Sequence, residues 1–221
     1  MDLFDYMREN ALRQEAPLAV RMRPRSLEEI AGQTHILGEG KLLYRAVRAD
    51  AVGSMILYGP PGSGKTTIAE VISRETKSEF CRLNATTAGK KEMEEVIQEA
   101  RENFGRGKRT TLFVDEIHRF HKGQQDFLLP YVEDGTVALI GATTENPFFE
   151  VNAALLSRSR IFELKPLAAA DIAALLRRAM ADKERGYGNW RAELTEEACA
   201  FLSDAAGGDA RTALNALELA M

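Results

Sequence analysis

Gly59-Pro60-Pro61-Gly62-Ser63-Gly64-Lys65-Thr66 has the spacing G-x-x-x-x-G-K-[ST]. Glycines spaced this way let successive backbone N–H groups converge on phosphate oxygens. The ammonium of Lys65 suits the β- and γ-phosphates of ATP, and the hydroxyl of Thr66 suits Mg²⁺. Thr67, next in the chain, is counted with the nucleotide contacts. The apolar run Ser54–Tyr58 comes before the loop, and a helix is expected from Lys65 to about Glu75, so a strand delivers the loop and a helix N-terminus backs it with positive potential. A glycine-rich turn with an incidental Gly-Lys-Thr is the alternative, and the flanking strand and helix argue against it.

About fifty residues further on, Thr111-Leu112-Phe113-Val114-Asp115-Glu116 is an apolar strand that ends in two carboxylates. A parallel sheet would bring them to the ligand-binding edge beside the loop. The two acids divide the work. Asp115 would hold Mg²⁺, and Glu116 would orient and deprotonate the water that attacks the γ-phosphorus. Strand-terminal acids alone are usually just solvated; their pairing with the upstream loop is what gives them a role.

The elements that must position these groups alternate between β and α. Strands are expected at Ser54–Tyr58, Glu79–Leu83, Thr110–Val114 and Thr136–Ala142. Helices are expected at Lys41–Ala49, Lys65–Glu75, Lys90–Phe104 and Gln124–Val132, the third with Met93, Val96, Ile97, Ala100 and Phe104 on one face. Ser26-Leu27-Glu28-Glu29 reads as a capping box opening a short helix that Gly32 ends. Buried strands separated by helices predict an α/β fold of three αβα layers with a parallel sheet. From about Pro166 strand character is lost. Asp171–Lys183, Thr195–Ala206 and Ala210–Met221 read as helices, with Gly207-Gly208 between the last two. The expected division is an arm over 1–19, a nucleotide-binding αβα domain over 20–165, and a small all-helical lid domain over 166–221. The last helix runs to Met221 without a C-terminal cap, as expected of a piece of a longer chain.

The chain has 221 residues, a formal net charge of −4 and 45% hydrophobic content, enough to bury a core. That charge excludes a broadly basic surface, so contact with nucleic acid would need a local cluster of Lys and Arg. Cys81 and Cys199 lack metal-ligand or disulfide-framework spacing. His35, His118 and His121 show no metal pattern and read as ordinary hydrogen-bonded histidines. With an acidic N-terminus and no long apolar run, the expectation is a soluble cytoplasmic protein with no membrane partner.

At this level of detail the chain resembles AAA+ ATPases. Among them it is similar to the RarA/MgsA group of replication-associated recombination ATPases, whose eukaryotic relatives include the Werner-helicase-interacting protein. The resemblance spans about residues 17–221. It is carried by Arg21-Met22-Arg23-Pro24, Gly32-Gln33, Val114-Asp115-Glu116-Ile117-His118-Arg119-Phe120, Gln124-Gln125-Asp126, Gly141-Ala142-Thr143-Thr144-Glu145-Asn146-Pro147, Leu155-Leu156-Ser157-Arg158-Ser159-Arg160, Arg185-Gly186-Tyr187-Gly188 and Gly208-Asp209-Ala210-Arg211.

The resemblance implies further roles. Thr144 matches sensor 1, which helps place the water or the γ-phosphate; a strand-end Thr capping the next turn is the alternative. Arg158 matches an arginine finger that reaches a neighbouring subunit's ATP, with Arg160 as its competitor. Arg211 matches sensor 2, which closes the lid on the nucleotide. Asn84 resembles the polar residue that holds the general-base Glu back until DNA binds. The segment Arg21–Ile30 and the Gly32-Gln33 turn would line the adenine pocket. The family pattern places a Ser or Thr near Ala168 at the start of the first lid helix, and Leu167-Ala168-Ala169-Ala170 lacks it.

The implied partners are DNA in single-stranded, gapped or forked form, further copies of the chain in a homo-oligomer, and a single-strand-binding protein or sliding clamp. Clamp-loader-like relatives grip DNA through helix ends. Lys90 and Lys91 are candidates for such phosphate contacts, against the alternative of a solvated helix start. Arg106, Lys108, Arg109 and Lys122 are further basic positions. Met1-Asp2-Leu3-Phe4 resembles the Leu-Phe end of clamp-docking peptides, without the preceding Gln. Three functions follow as expectations: a DNA-stimulated, nucleoid-associated ATPase of fork maintenance, recombination and repair; an ATP-occupied switch subunit of the clamp-loader type; or a Holliday-junction branch-migration ATPase.

Overall fold

The computed structural model describes residues 16–221. The Met1–Phe4 peptide and most of the expected arm lie outside the described residues. In chain order, Leu18–Arg21 forms one helical turn (α1), Leu27–Glu29 a 3₁₀ turn, Thr34–Leu37 α2 and Leu42–Arg48 α3. Met55–Tyr58 is β1, Lys65–Glu75 α4, Glu79–Asn84 β2, Lys90–Gly105 α5 and Thr110–Asp115 β3. A 3₁₀ turn at Ile117–Arg119 leads to Lys122–Glu133 (α6), Ala138–Thr143 (β4), Pro147–Glu150 (α7), Ala153–Leu156 (α8) and Arg160–Glu163 (β5). Ala169–Ala181 (α9), Glu196–Ala205 (α10) and Ala210–Ala220 (α11) complete the chain.

The strands form one sheet in the order β2-β3-β4-β1-β5, every neighbouring pair parallel. Because successive strand side chains point to opposite faces, a strand covered on both sides must be apolar throughout. Ile56, Leu112, Val114 and Leu139 enter one core with Met93, Ile97 and Ala100 of α5 and Leu128 of α6. Met55, Leu57, Phe113 and Ile140 enter the other with Ile68, Val71 and Ile72 of α4. The three layers expected from the sequence are therefore present. Full burial of each Ile or Leu contributes about 1.5–3 kcal/mol, which ties the helix behind the phosphate loop firmly to the sheet.

Contacts divide the chain into two compact units, Arg25–Lys165 and a helical unit of Pro166–Met221 joined by the described residues up to Pro24. Residues 20–24 thus pack with the helices, where the sequence reading groups them with the αβα domain. Leu18 and Met22 lie in a core with Ile172, Leu176 and Leu217, and the Leu18 N–H donates to Glu218 Oε1 at 2.8 Å.

Several local expectations change. Ser26 makes no capping hydrogen bond, and only a three-residue 3₁₀ turn follows it. Phe104 is 56% exposed, and Asn103 turns inward instead, its amide donating to Thr110 Oγ1 at 3.3 Å while its carbonyl accepts from Arg106 and Lys108. The helix end is drawn toward the start of β3 by those polar bonds. At α9 the Asp171 carboxylate accepts from the Ala168 N–H at 3.2 Å, which satisfies one terminal donor where no Ser or Thr caps the first turn. β5 has no counterpart in the sequence reading: a four-residue edge strand with Arg and Glu at its ends carries no continuous apolar run.

Candidate functional site

The phosphate loop leaves β1 at Gly59, whose N–H donates to the Thr143 carbonyl at 3.2 Å. A Cβ at Gly59 would stand 2.3 Å from the Leu164 carbonyl oxygen, so no other residue fits. Gly64 turns into α4 at φ 101°, in the left-handed region open to glycine, and offers no side-chain acceptor as N-cap. The first turn of α4 begins directly behind the loop, where helix geometry provides no intrahelical acceptor for its N–H groups. Ser63 Oγ donates to the Pro60 carbonyl at 2.8 Å, and the buried Lys65 ammonium donates to the carbonyls of Gly59 at 2.7 Å and Pro60 at 2.9 Å. These bonds curl Gly59–Gly64 around the lysine.

Gln33 braces the loop from outside. It is 5% exposed with φ 55°, and its amide donates to the carbonyls of Ser63 at 3.2 Å and Lys165 at 2.7 Å while its oxygen accepts from the Lys165 N–H at 3.1 Å. The sequence reading gave the Gly32-Gln33 turn to the adenine pocket and missed this clamp, because a polar side chain bonded to residues 30 and 132 positions away leaves no local pattern.

The acidic pair stands at the same edge of the sheet. Tyr58 of β1 pairs with Thr143 of β4, and Val114 of β3 pairs with Gly141, so the C-terminal ends of β1, β4 and β3 lie side by side. Loop and acids are two strands apart, about 10 Å in the hydrogen-bonding direction. Asp115 Oδ2 accepts from Arg82 at 2.9 Å, an exposed pairing that is easily exchanged. The carboxylate of Asp115 and the hydroxyl of Thr66 are hard oxygen donors of the kind Mg²⁺ takes, so the donor chemistry fits that ion. Glu116 has φ 53° and ψ 45°, a backbone state that costs a non-glycine residue about 1–3 kcal/mol and that clusters at functional sites. Its Oε2 lies 3.4 Å from His118 Nδ1, which also meets Thr143 Oγ1 at 2.8 Å. The sequence alone presents His118 as an ordinary hydrogen-bonded histidine. Asn84, singled out as the partner of Glu116, spends its side-chain oxygen on the N–H and hydroxyl of Thr86 instead.

The remaining candidates are spread more widely. Thr144 is the first residue beyond β4 and half-buried; Thr143, fully buried, ends the strand. Arg158 donates to the Ala154 carbonyl and to Ser157 Oγ, both at 2.9 Å, and pairs with Glu133. Arg160 begins β5 opposite Met55, the first residue of β1, so both arginines sit at the sheet edge away from their own phosphate loop. Arg211 is exposed in the first turn of α11, where Asp209 Oδ1 accepts from its N–H at 2.7 Å. Lys90 and Lys91 pair with Glu94 and Glu95, Arg106 with Glu102, Lys108 with Glu79 and Arg109 with Asp50. His121 caps α6, exchanging bonds with Gln124.

Residues 55–167, which carry both loop and acids, match the ATPase family associated with various cellular activities (AAA). The chain belongs to the AAA ATPase family. This AAA chain is 54% identical to replication-associated recombination protein A of Escherichia coli K12 over 92% of its length and 45% of that protein's. It is 49% identical to the protein of the same name from Bacillus subtilis, over 93% of this chain and 48% of that one. It therefore spans less than half the length of the curated relatives it matches. Among solved structures, the RuvB Holliday junction branch migration motor of Thermotoga maritima superposes with a TM-score of 0.71 and 25% identity, over 90% of this AAA chain and 64% of that one.

Proposed function

We propose that the chain is the ATP-hydrolysing part of a DNA-associated AAA+ ATPase of replication, recombination and repair. The observation that carries this reading is the common register of β1, β4 and β3, which sets the phosphate loop and the acids on one sheet edge. In this reading the N–H groups of Gly62–Thr67 take the phosphates, and the Lys65 ammonium exchanges the carbonyls of Gly59 and Pro60 for phosphate oxygens. Mg²⁺, held by Thr66 and Asp115, would supply neutralising charge at those oxygens. Glu116 orients the attacking water and takes its proton, and Thr144, one residue past the strand end, helps place that water.

Arg158 acts on the neighbour. Its own loop is at the opposite sheet edge, about 13 Å away along the four residues of β1, and this separation favours a finger that works in trans. Hydrolysis then depends on homo-oligomers. Arg211 contributes from the helical unit as the lid's contact with the nucleotide. DNA in single-stranded, gapped or forked form is the proposed macromolecular ligand, with a sliding clamp or single-strand-binding protein as further partners; the replication and recombination in the relatives' names support a DNA ligand, and its form and the protein partners are inferred from the family resemblance. The lysines and arginines proposed to meet phosphate are balanced by surface carboxylates, pairs worth about 0–1 kcal/mol that a polyanion displaces. No described helix is long and apolar enough to cross a membrane.

Multiple-turnover ATP hydrolysis with and without gapped DNA tests the reading. Turnover that gapped DNA raises and Glu116→Gln abolishes is expected; undiminished turnover in that variant removes Glu116 as the base.

A further inference from the structure

We infer that His118 is the positioning residue for Glu116, with Thr143 tying it to the phosphate loop. The inference deepens the proposed function and rests on its reading of Glu116. His118 Nδ1 stands between two acceptors, Thr143 Oγ1 at 2.8 Å and Glu116 Oε2 at 3.4 Å. The His118 side chain is 10% exposed, so water competes little for that nitrogen.

The carboxylate beside Nδ1 favours one tautomer of the ring. Thr143 Oγ1 accepts from the Glu145 N–H at 3.0 Å and directs its own proton to the Glu145 carbonyl at 3.5 Å. One lone pair of that hydroxyl is left open to a donor, whereas a Thr143 hydroxyl donating to Nδ1 would leave a bare ring nitrogen beside the carboxylate. A carboxylate only accepts, so Glu116 asks for a donor too. Both neighbours are accommodated when the ring carries its proton on Nδ1 and donates it to the Thr143 hydroxyl, so that the carboxylate 3.4 Å away faces an N–H and not a lone pair. With the proton on Nε2, a nitrogen lone pair would face the carboxylate oxygen.

Thr143 gives this pairing its reach. Its carbonyl accepts from Gly59, the first residue of the loop, and its hydroxyl orients His118. A shift of the loop therefore moves the anchor of the group that faces the water-orienting acid. The backbone of Glu116, held at φ 53°, fixes where its side chain begins, and His118 fixes where it ends.

Two measurements on the 221-residue chain test this. Long-range ¹H–¹⁵N spectra at neutral pH read the tautomer without any need for turnover, the His118 signal being assigned by its loss in His118→Asn. A proton on Nδ1 is expected, and one on Nε2 overturns the assignment. The second measurement compares Mg·ATP affinity and kcat in His118→Ala, His118→Gln, His118→Asn and Thr143→Val. Asn keeps an N–H donor where Nδ1 stands, whereas Gln places its donor near Nε2. Ala and Gln are expected to lower kcat about 10- to 100-fold with affinity unchanged, while Asn stays within about threefold of the parent. Thr143→Val added to His118→Ala should lower kcat little further, since the two act as one unit. Full activity in His118→Ala, or rescue by Gln as good as by Asn, overturns the role of His118 alone. A parent that binds Mg·ATP but never hydrolyses it at concentrations where the chains associate overturns instead the reading of Glu116 on which the inference stands.

Discussion

The N–H of Gly59 donates to the carbonyl of Thr143 across 3.2 Å, joining the residue that opens the phosphate loop to the one that closes β4. Since β4 lies between β1 and β3, this bond makes one rigid edge of the loop and the acidic pair. In the proposed reaction, interactions at that edge realised in the transition state, and not in binding alone, would accelerate hydrolysis.

Glu116→Gln keeps the shape of the side chain and removes its basicity. Mg·ATP affinity is expected to stay within about threefold of the parent while kcat falls about 10²- to 10⁴-fold, the usual worth of a general base. Parallel binding and single-turnover measurements read the two effects separately.

Gln33→Leu removes a buried clamp that satisfies the carbonyls of Ser63 and Lys165. Leaving buried polar groups without partners costs about 1–3 kcal/mol each, so urea denaturation should show a stability loss of that order. Nucleotide affinity should fall as well, because Ser63 lies within the loop.

Arg158→Ala and Glu116→Gln are expected to be inactive separately and to recover hydrolysis when mixed, since a subunit with an intact base can borrow its neighbour's finger. Absence of recovery at concentrations where the chains associate would remove the trans assignment. Glu133→Gln, which loosens Arg158 from its own chain, is expected to raise activity in the unmixed protein.

Burial first, with the nearby carboxylates of Glu99 and Glu79 adding to it, pushes the Cys81 thiol up to about 11 from its ordinary 9.0. A pKa raised by folding means that the folded state disfavours the thiolate. The stability from a neutral Cys81 is complete below pH 9 and is lost as pH rises toward 11. Urea midpoints at pH 8 and pH 10.5 should therefore drop further in the parent than in Cys81→Val.

The phosphate loop, its strand and the α4 boundaries were legible in the sequence because their physics is local: glycines, one lysine and an apolar run within about twenty residues. The apolar strands named the parallel sheet for the same reason. Gln33, His118 and Thr143 escaped, since their meaning lies in bonds that exist only once distant strands are in register. β5 was missed as a short edge strand with charged ends, and the inward turn of Asn103 in place of Phe104 reflects polar bonds that periodicity does not weigh.

Calorimetric titration of Mg·ATP into the parent and into Lys65→Ala tests the central claim most directly. Saturable binding by the parent and its loss in a variant with an unchanged circular dichroism spectrum is the predicted result. A folded parent that releases no heat of binding, or a Lys65→Ala protein that binds as tightly, would contradict it.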